Sequence, residues 1–113
     1  MSSISTHILD TALGRPAAGV SITLSKQESE NWQTIGSGKT NQDGRVPELC
    51  ENHPNLVAGT YKIHFDTKAY FLSMNNPIFY PYAEVVFMID NNQQHYHIPL
   101  LLSPFGYSTY RGS

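Results

Sequence analysis

The stretch His95–Ser113, HYHIPLLLSPFGYSTYRGS, predicts two strands joined by a tight turn at the end of the chain. Alternate side chains of a strand share a face, so His95, His97 and Leu101 are predicted to point one way. The opposite face carries an apolar row suited to a core, formed by Tyr96, Ile98, Leu100 and Leu102. Ser103–Gly106 (SPFG) has proline second and glycine fourth, as a type I turn prefers. The hairpin thus combines a core-facing row with a face rich in polar groups.

The rest of the chain shows the same two-residue alternation in several short segments. Strands are predicted at residues 5–9, 20–24, 32–38, 59–65 and 83–89, with a polar connection at 26–31. A short helix is predicted over about residues 67–74, capped by Asp66 or Thr67 and stopped by the following Asn-Asn-Pro. Seven or eight short strands with turn signals between them indicate an all-β sandwich, a single domain over residues 1–113.

Composition restricts the classes of partner. The 113 residues carry a formal net charge of -2, which gives no electrostatic basis for binding nucleic acid or an anionic membrane. Charged residues make up 14%, well below the usual share of about 25%. So few charges on a small protein suggest that part of its surface is covered in an oligomer. Cys50 is the single cysteine, so no internal disulfide framework is expected.

No targeting signal is recognisable in the sequence, so the cytosol is the default expectation for the location. The first residues, MSSISTHILD, have neither the basic nor the apolar region of a signal peptide. No apolar run approaches the roughly 20 residues that a membrane-spanning helix needs. We therefore expect a cytoplasmic protein without a membrane partner.

Several polar residues are candidates for function, although each also has an ordinary structural interpretation. His95 and His97 would lie about 6.6 to 7 Å apart on one strand face, suited to acid–base work or to a shared metal. No further His, Cys or Asp completes a metal site at recognisable spacing, and the pattern alone favours a pair of ordinary histidines. His7 by itself is an ordinary strand histidine. Arg45, after an Asp-Gly turn, is either an exposed arginine or a donor fork for a carboxylate or polar ring.

The last four residues, Tyr110–Ser113 (YRGS), leave two alternatives open. Chain ends usually fray, so the segment could be mobile. Tyr107 and Tyr110 are large rings that tend to be held in place, and the glycine allows a final bend. The residues alone do not decide between the two.

Five longer motifs give the chain a family resemblance. They are THILDTALGRPAAGV, GSGKTNQDGR, GTYKIHFDTKAYF, YAEVVF and HYHIPLLLSPFGYSTYRGS. With them the chain resembles the transthyretin-like proteins essentially from end to end. The YRGS ending is similar to that of the family's hydrolase branch, which acts on 5-hydroxyisourate, and differs from the branch that carries thyroid hormone.

The resemblance implies both an architecture and an assembly. The fold would be a transthyretin-like sandwich of two four-stranded sheets, with the short helix between the fifth and sixth strands. The assembly would be a homotetramer, a dimer of dimers, with active sites at the dimer–dimer interface in a central channel. No metal and no cofactor are implied.

The resemblance also implies a set of site residues. His7, Arg45, His97 and Ser113 would be catalytic, and His7, Arg45, Tyr110 and Arg111 would bind the substrate. The two histidines would activate water, since an imidazole titrates near neutral pH, and Arg45 would stabilise developing negative charge. His95 would flank the pocket. The alternatives are a non-catalytic carrier of a small aromatic ligand and a divalent-metal site at His95 and His97.

Overall fold

A computed structural model describes residues 3–50, 56–90 and 95–112. These ranges form nine strands and one helix, which confirms the predicted all-β class. In chain order they are β1 (Ser3–Asp10), β2 (Arg15–Pro16), β3 (Ser21–Glu28), β4 (Asn31–Lys39), β5 (Arg45–Val46), β6 (Gly59–Asp66), α1 (Thr67–Ser73), β7 (Ala83–Ile89), β8 (His95–Ser103) and β9 (Gly106–Thr109). The predicted final hairpin is present as β8 and β9.

The strands form two sheets, with one more strand in the first sheet than predicted. The second sheet has the order β4-β3-β6-β7, and the first has the order β2-β1-β8-β9, with β5 as a fifth strand beside β1. The prediction of two four-stranded sheets is wrong on this count, because the two-residue strand β2 also joins the first sheet, pairing with β1 through Leu9 and Asp10. The helix follows the sixth strand rather than the fifth for the same reason, since β2 precedes it in the chain.

The core consists of the inward rows that alternation predicted. Their side chains are at most 5% exposed: Thr6, Ile8, Val20, Ile22, Leu24, Tyr61, Ile63, Phe65, Tyr96, Ile98, Leu100 and Leu102. Removing a side chain of this size from water contributes about 1.5–3 kcal/mol, so these rows hold the two sheets together. The outward faces of the same strands are left for polar side chains.

The predicted polar connection at residues 26–31 is wrong for most of its length. β3 continues to Glu28 and β4 begins at Asn31, which leaves a two-residue turn. Lys26 pairs with Gln33 and Gln27 with Trp32 across this hairpin. Backbone hydrogen bonds form the ladder whatever the side chains, so a polar hairpin end leaves no apolar pattern to detect.

Helix α1 lies where the sequence predicts it, but its predicted cap is wrong. Asp66 makes no side-chain capping hydrogen bond, and the Thr67 hydroxyl is buried without a partner among the described residues. The Lys68 N–H instead donates to the Pro81 carbonyl oxygen at 3.1 Å. α1 has seven residues, and in the described part of the chain no helix has the length and apolar character to cross a membrane.

Candidate active site

The candidate site is built on the parallel pairing of β1 with β8. In this register Ser3 lies opposite His95, Ser5 opposite His97, and His7 opposite Pro99. Opposite residues in a sheet share a face, so the three histidines all lie on the side away from the core. We call this surface, defined by His7, His95 and His97, the histidine face.

The three imidazole rings form a row on the histidine face. The ring centroids of His7 and His97 are 6.5 Å apart, with an angle of 26° between the planes. His95 and His97 have the same centroid separation, 6.5 Å, and an angle of 16°. His97, in the middle, is half-buried, whereas His95 at the end of the row is exposed.

Arg45 reaches the histidine face because β5 places it opposite His7. The turn before it is fixed by Asn41, whose side-chain oxygen accepts hydrogen bonds from the Asp43 N–H at 2.9 Å and the Arg45 N–H at 3.1 Å. Gly44 has a φ of +72°, and a Cβ there would lie 2.5 Å from the Ile8 carbonyl oxygen, so only glycine fits. The Asp-Gly turn therefore sets the position of the arginine backbone.

Two serine hydroxyls join the histidines, and sequence reasoning missed both. The Ser5 Oγ lies 2.8 Å from His95 Nε2 and 2.7 Å from His97 Nδ1. The Ser3 Oγ is hydrogen-bonded to His95 Nδ1. Strand parity puts both serines on the same face as His7, which was the available signal. Their histidine partners follow only from the register between β1 and β8.

The environment favours neutral imidazoles at this site. Burial, followed by the charges of Arg45, His7 and His95, lowers the pKa of His97 below 6.5. Burial and Arg45 likewise lower the pKa of His7, an effect partly opposed by Asp43. A neutral imidazole has one unprotonated nitrogen, so each ring is able to accept a proton from water near pH 7.

The tail places its residues on both sides of β8. The Gly112 N–H donates to the His97 carbonyl oxygen at 2.8 Å, so the tail is tied down beside the candidate site. Arg111 lies on the core side, with its Cζ 5.0 Å from the ring centroid of Tyr96. There it lines a groove of about 240 Å³ with Phe87 and Met88. The structure thus brings His7, Arg45 and His97 together and leaves Arg111 on the opposite face of the strand.

The other two predicted residues of the tail are Tyr110 and Ser113. Tyr110 is 57% exposed beside Arg111, and Ser113 lies outside the described residues.

For the metal alternative, no three His, Cys, Asp or Glu side chains converge on one position within residues 3–50, 56–90 and 95–112. His95 and His97 therefore have no third ligand there, and both bond to Ser5 instead.

Comparison with known proteins shows the family. Residues 4–112 match the model of the HIUase/Transthyretin family. A mouse protein named 5-hydroxyisourate hydrolase is 46% identical over 114 residues, covering 99% of this chain and 96% of its own. The chain belongs to the HIUase/Transthyretin family.

Two solved structures show the same fold. Klebsiella pneumoniae 5-hydroxyisourate hydrolase superposes with a TM-score of 0.86 at 36% identity, covering 98% of this chain and 99% of that one. Sea bream transthyretin, solved in complex with thyroxine, gives 0.88 at 34% identity, with coverages of 97% and 94%. Such similar scores mean that the backbone alone does not separate a hydrolase from a hormone carrier.

Proposed function

We propose that this chain hydrolyses 5-hydroxyisourate to 2-oxo-4-hydroxy-4-carboxy-5-ureidoimidazoline. The observation that carries the proposal is the grouping of His7, Arg45 and His97 on one face, with burial and a fixed cation lowering the pKa of both histidines. The names of the mouse relative and the Klebsiella structure support the same activity and substrate.

The chemistry needs a base for water and a donor for the developing oxyanion. In the proposed mechanism His97 removes a proton from water while His7 orients that water, and the resulting hydroxide adds to the acyl carbon of the ring C–N bond. Arg45 donates to the oxygen that becomes negative in the tetrahedral intermediate. When the C–N bond breaks, the leaving nitrogen takes up the proton that the imidazole had accepted, so the enzyme returns to its starting state.

The tail residues have a subsidiary part in this proposal. Tyr110 and Arg111 would contact the substrate ring, and Ser113 would close the pocket with its hydroxyl. Because Arg111 lies over Tyr96, its side chain would have to move for such a contact. Ser113→Ala should lower activity, and a variant without loss would remove the Ser113 hydroxyl from the mechanism.

We further propose that the active protein is a homotetramer, a dimer of dimers. Supporting observations are the low share of charged residues, 14%, and the position of the histidine face on the outer side of its sheet, where a second copy could enclose the substrate. Light scattering coupled to gel filtration tests this, and a monomer with full activity would contradict it. The cytosolic location stays a prediction from the sequence.

The test of the activity is to follow urate oxidation by urate oxidase in the ultraviolet, with and without this protein. We expect faster loss of the transient 5-hydroxyisourate signal, and a loss on the order of 10²–10⁴-fold in this acceleration for His97→Ala or His7→Ala. His64→Ala is the matched control, because His64 bonds to Glu84 in the other sheet at 2.9 Å. A folded His97→Ala protein with full activity would contradict the assignment.

The runner-up function is a non-catalytic carrier of a small aromatic ligand. The sea bream transthyretin complex with thyroxine is the reason to keep it in the test. A carrier would show saturable binding of an aromatic ligand and leave the decay of 5-hydroxyisourate unchanged.

A further inference from the structure

A continuous row of hydrogen bonds crosses the histidine face from an exposed end to the candidate base. It runs from the Ser3 hydroxyl to His95 Nδ1, from His95 Nε2 to the Ser5 Oγ at 2.8 Å, and from that oxygen to His97 Nδ1 at 2.7 Å. Ser5 is 7% exposed, so its hydroxyl is largely shielded from solvent. The row thus joins half-buried His97 to exposed His95 through one buried hydroxyl.

Proton counting restricts how this row can be arranged. The hydroxyl of Ser5 has one hydrogen to donate and two lone pairs that accept, so it donates to at most one of the two imidazoles. Two neutral arrangements place the Ser5 hydrogen between the rings. Either Ser5 donates to His97 Nδ1, or His97 Nδ1 carries the hydrogen and Ser5 donates onward to His95 Nε2.

The packing of His97 leaves Nε2 as the candidate nitrogen for the base. Its Nδ1 edge is held by Ser5. Its Cδ2 edge lies against Gly112, where an added Cβ would be only 2.6 Å away. Nε2, at the far end of the ring, is the nitrogen directed away from the strand. For Nε2 to act as a base, Nδ1 must carry the hydrogen, and of these two arrangements only the second places it there.

We propose that Ser5 is a positioning residue that holds His97 with Nε2 unprotonated and passes the proton taken from water on to His95. The inference rests on the proposed hydrolase function. As Nε2 takes a proton from water, the Nδ1 hydrogen moves to Ser5 Oγ and the Ser5 hydrogen moves to His95 Nε2. His97 and Ser5 end neutral, His95 ends as imidazolium, and the hydroxide remains at the substrate. Protonation of the leaving nitrogen reverses the transfer, or solvent supplies that proton while exposed His95 releases its own.

The charges around His97 favour moving the proton away from it. Burial lowers the pKa of His97 most, and Arg45 from β5, His7 from β1 and His95 from β8 lower it further. His95 is exposed at the end of the row, where water stabilises an imidazolium. If Ser5 were only structural, a single acceptor would be enough for its hydroxyl. Such a role would not require a histidine ring nitrogen on each side of the oxygen.

The kinetic test compares Ser5→Ala with Ser5→Thr, which retains the hydroxyl. We expect Ser5→Ala to lower kcat on the order of tenfold with KM little changed, less than the 10²–10⁴-fold of direct acid–base catalysis, and Ser5→Thr to stay near the parent value. His95→Ala should lower kcat in a way that added imidazole buffer restores. Ser37→Ala, an exposed serine on β4 in the other sheet, is the matched control. A folded Ser5→Ala protein with unchanged kcat would overturn the proposal.

A second measurement does not depend on turnover. The ¹⁵N shifts of the histidine rings report which nitrogen carries the hydrogen, and we expect His97 to be protonated on Nδ1 in the parent and to lose that preference in Ser5→Ala. If the parent showed the expected tautomer but did not hydrolyse 5-hydroxyisourate, the proposed function would fail while the role of Ser5 in positioning stood. If the His97 tautomer were the same in both proteins, the positioning role would be wrong whatever the activity.

Discussion

Gly112 lies directly against His97, and the contact leaves no room for a side chain. The Gly112 N–H donates to the His97 carbonyl oxygen at 2.8 Å, and a Cβ on Gly112 would lie 2.6 Å from His97 Cδ2. The tail and the candidate base are therefore fixed relative to each other by one backbone hydrogen bond and by the close approach of Gly112 to the His97 ring. This contact explains why a glycine occurs at this point of the YRGS ending.

We expect Gly112→Ala to displace the His97 ring from Ser5. A misplacement near 1 Å costs on the order of 10²-fold in rate, so turnover should fall by about that factor. Global stability should change little, because the neighbouring residues Tyr110 and Arg111 are exposed. Gly106→Ala is the control, since its Cβ would meet Ser103 Oγ at an ordinary 3.9 Å. Equal activity of the two variants, measured by the decay of 5-hydroxyisourate, would contradict the contact.

The acid side of the pH profile should report the lowered histidine pKa values. His7 and His97 both have a pKa below 6.5, so they stay neutral as the pH falls through 6.5 and become protonated only at lower pH. We expect kcat/KM to be maintained through pH 6.5 and to fall below it, measured over about pH 5 to 8. An acid limb centred above 6.5 would contradict the assignment.

The same shifts predict a sign for stability. Between the folded-state pKa and 6.5, the unfolded chain binds more protons than the folded one, so the free energy of unfolding rises with pH across that window. Urea unfolding should therefore give a lower free energy of unfolding at the acid end of this pH window. Substituting His97 with Gln should reduce this dependence, while Ser37→Ala, which removes no titratable group, should not.

Arg45 should have two separable effects. Because its charge lowers the pKa of both His7 and His97, Arg45→Gln should move the acid limb to higher pH and lower kcat on the order of 10²–10³-fold, as for loss of an oxyanion donor. Arg45→Lys keeps the charge but loses the planar fork, so its acid limb should stay low while its activity falls. Arg15→Gln, an exposed arginine on β2, is the control; an acid limb equally displaced in Arg45→Lys and Arg45→Gln would contradict this separation.

Tyr70 should stabilise the attachment of α1 to the first sheet. Its hydroxyl donates to Asp10 Oδ2 at 2.7 Å, and Asp10, only 1% exposed, also accepts from the backbone N–H groups of Ala12 and Leu13. Tyr70→Phe leaves a buried carboxylate oxygen without its donor, which should cost about 1–3 kcal/mol in urea unfolding. Tyr82→Phe, at a position 49% exposed, is the control, and an equal loss in both would show that the buried bond contributes nothing.

Local patterns predicted most of the fold. Alternation over five to eight residues identified the inward rows around Ile22, Tyr61 and Leu100, because the two-residue period of a strand is a property of consecutive residues. The predictions are wrong where an element depends on a residue distant in sequence, or on backbone hydrogen bonds that leave no pattern in the side chains. The hairpin end at Lys26 is held by backbone pairing, and the first turn of α1 uses the Pro81 carbonyl instead of a local cap.

The sequence by itself determined which residues face inward, that a short helix follows Phe65, and, through its motifs, the family. The tertiary structure alone decided that β1 lies parallel to β8, which puts Ser5 beside His97 across 92 residues of chain. It also decided that Arg45 meets His7 and that Arg111 turns to Tyr96. The physical reason is that strand register is set by the packing of the whole sheet, and no run of neighbouring residues contains that information.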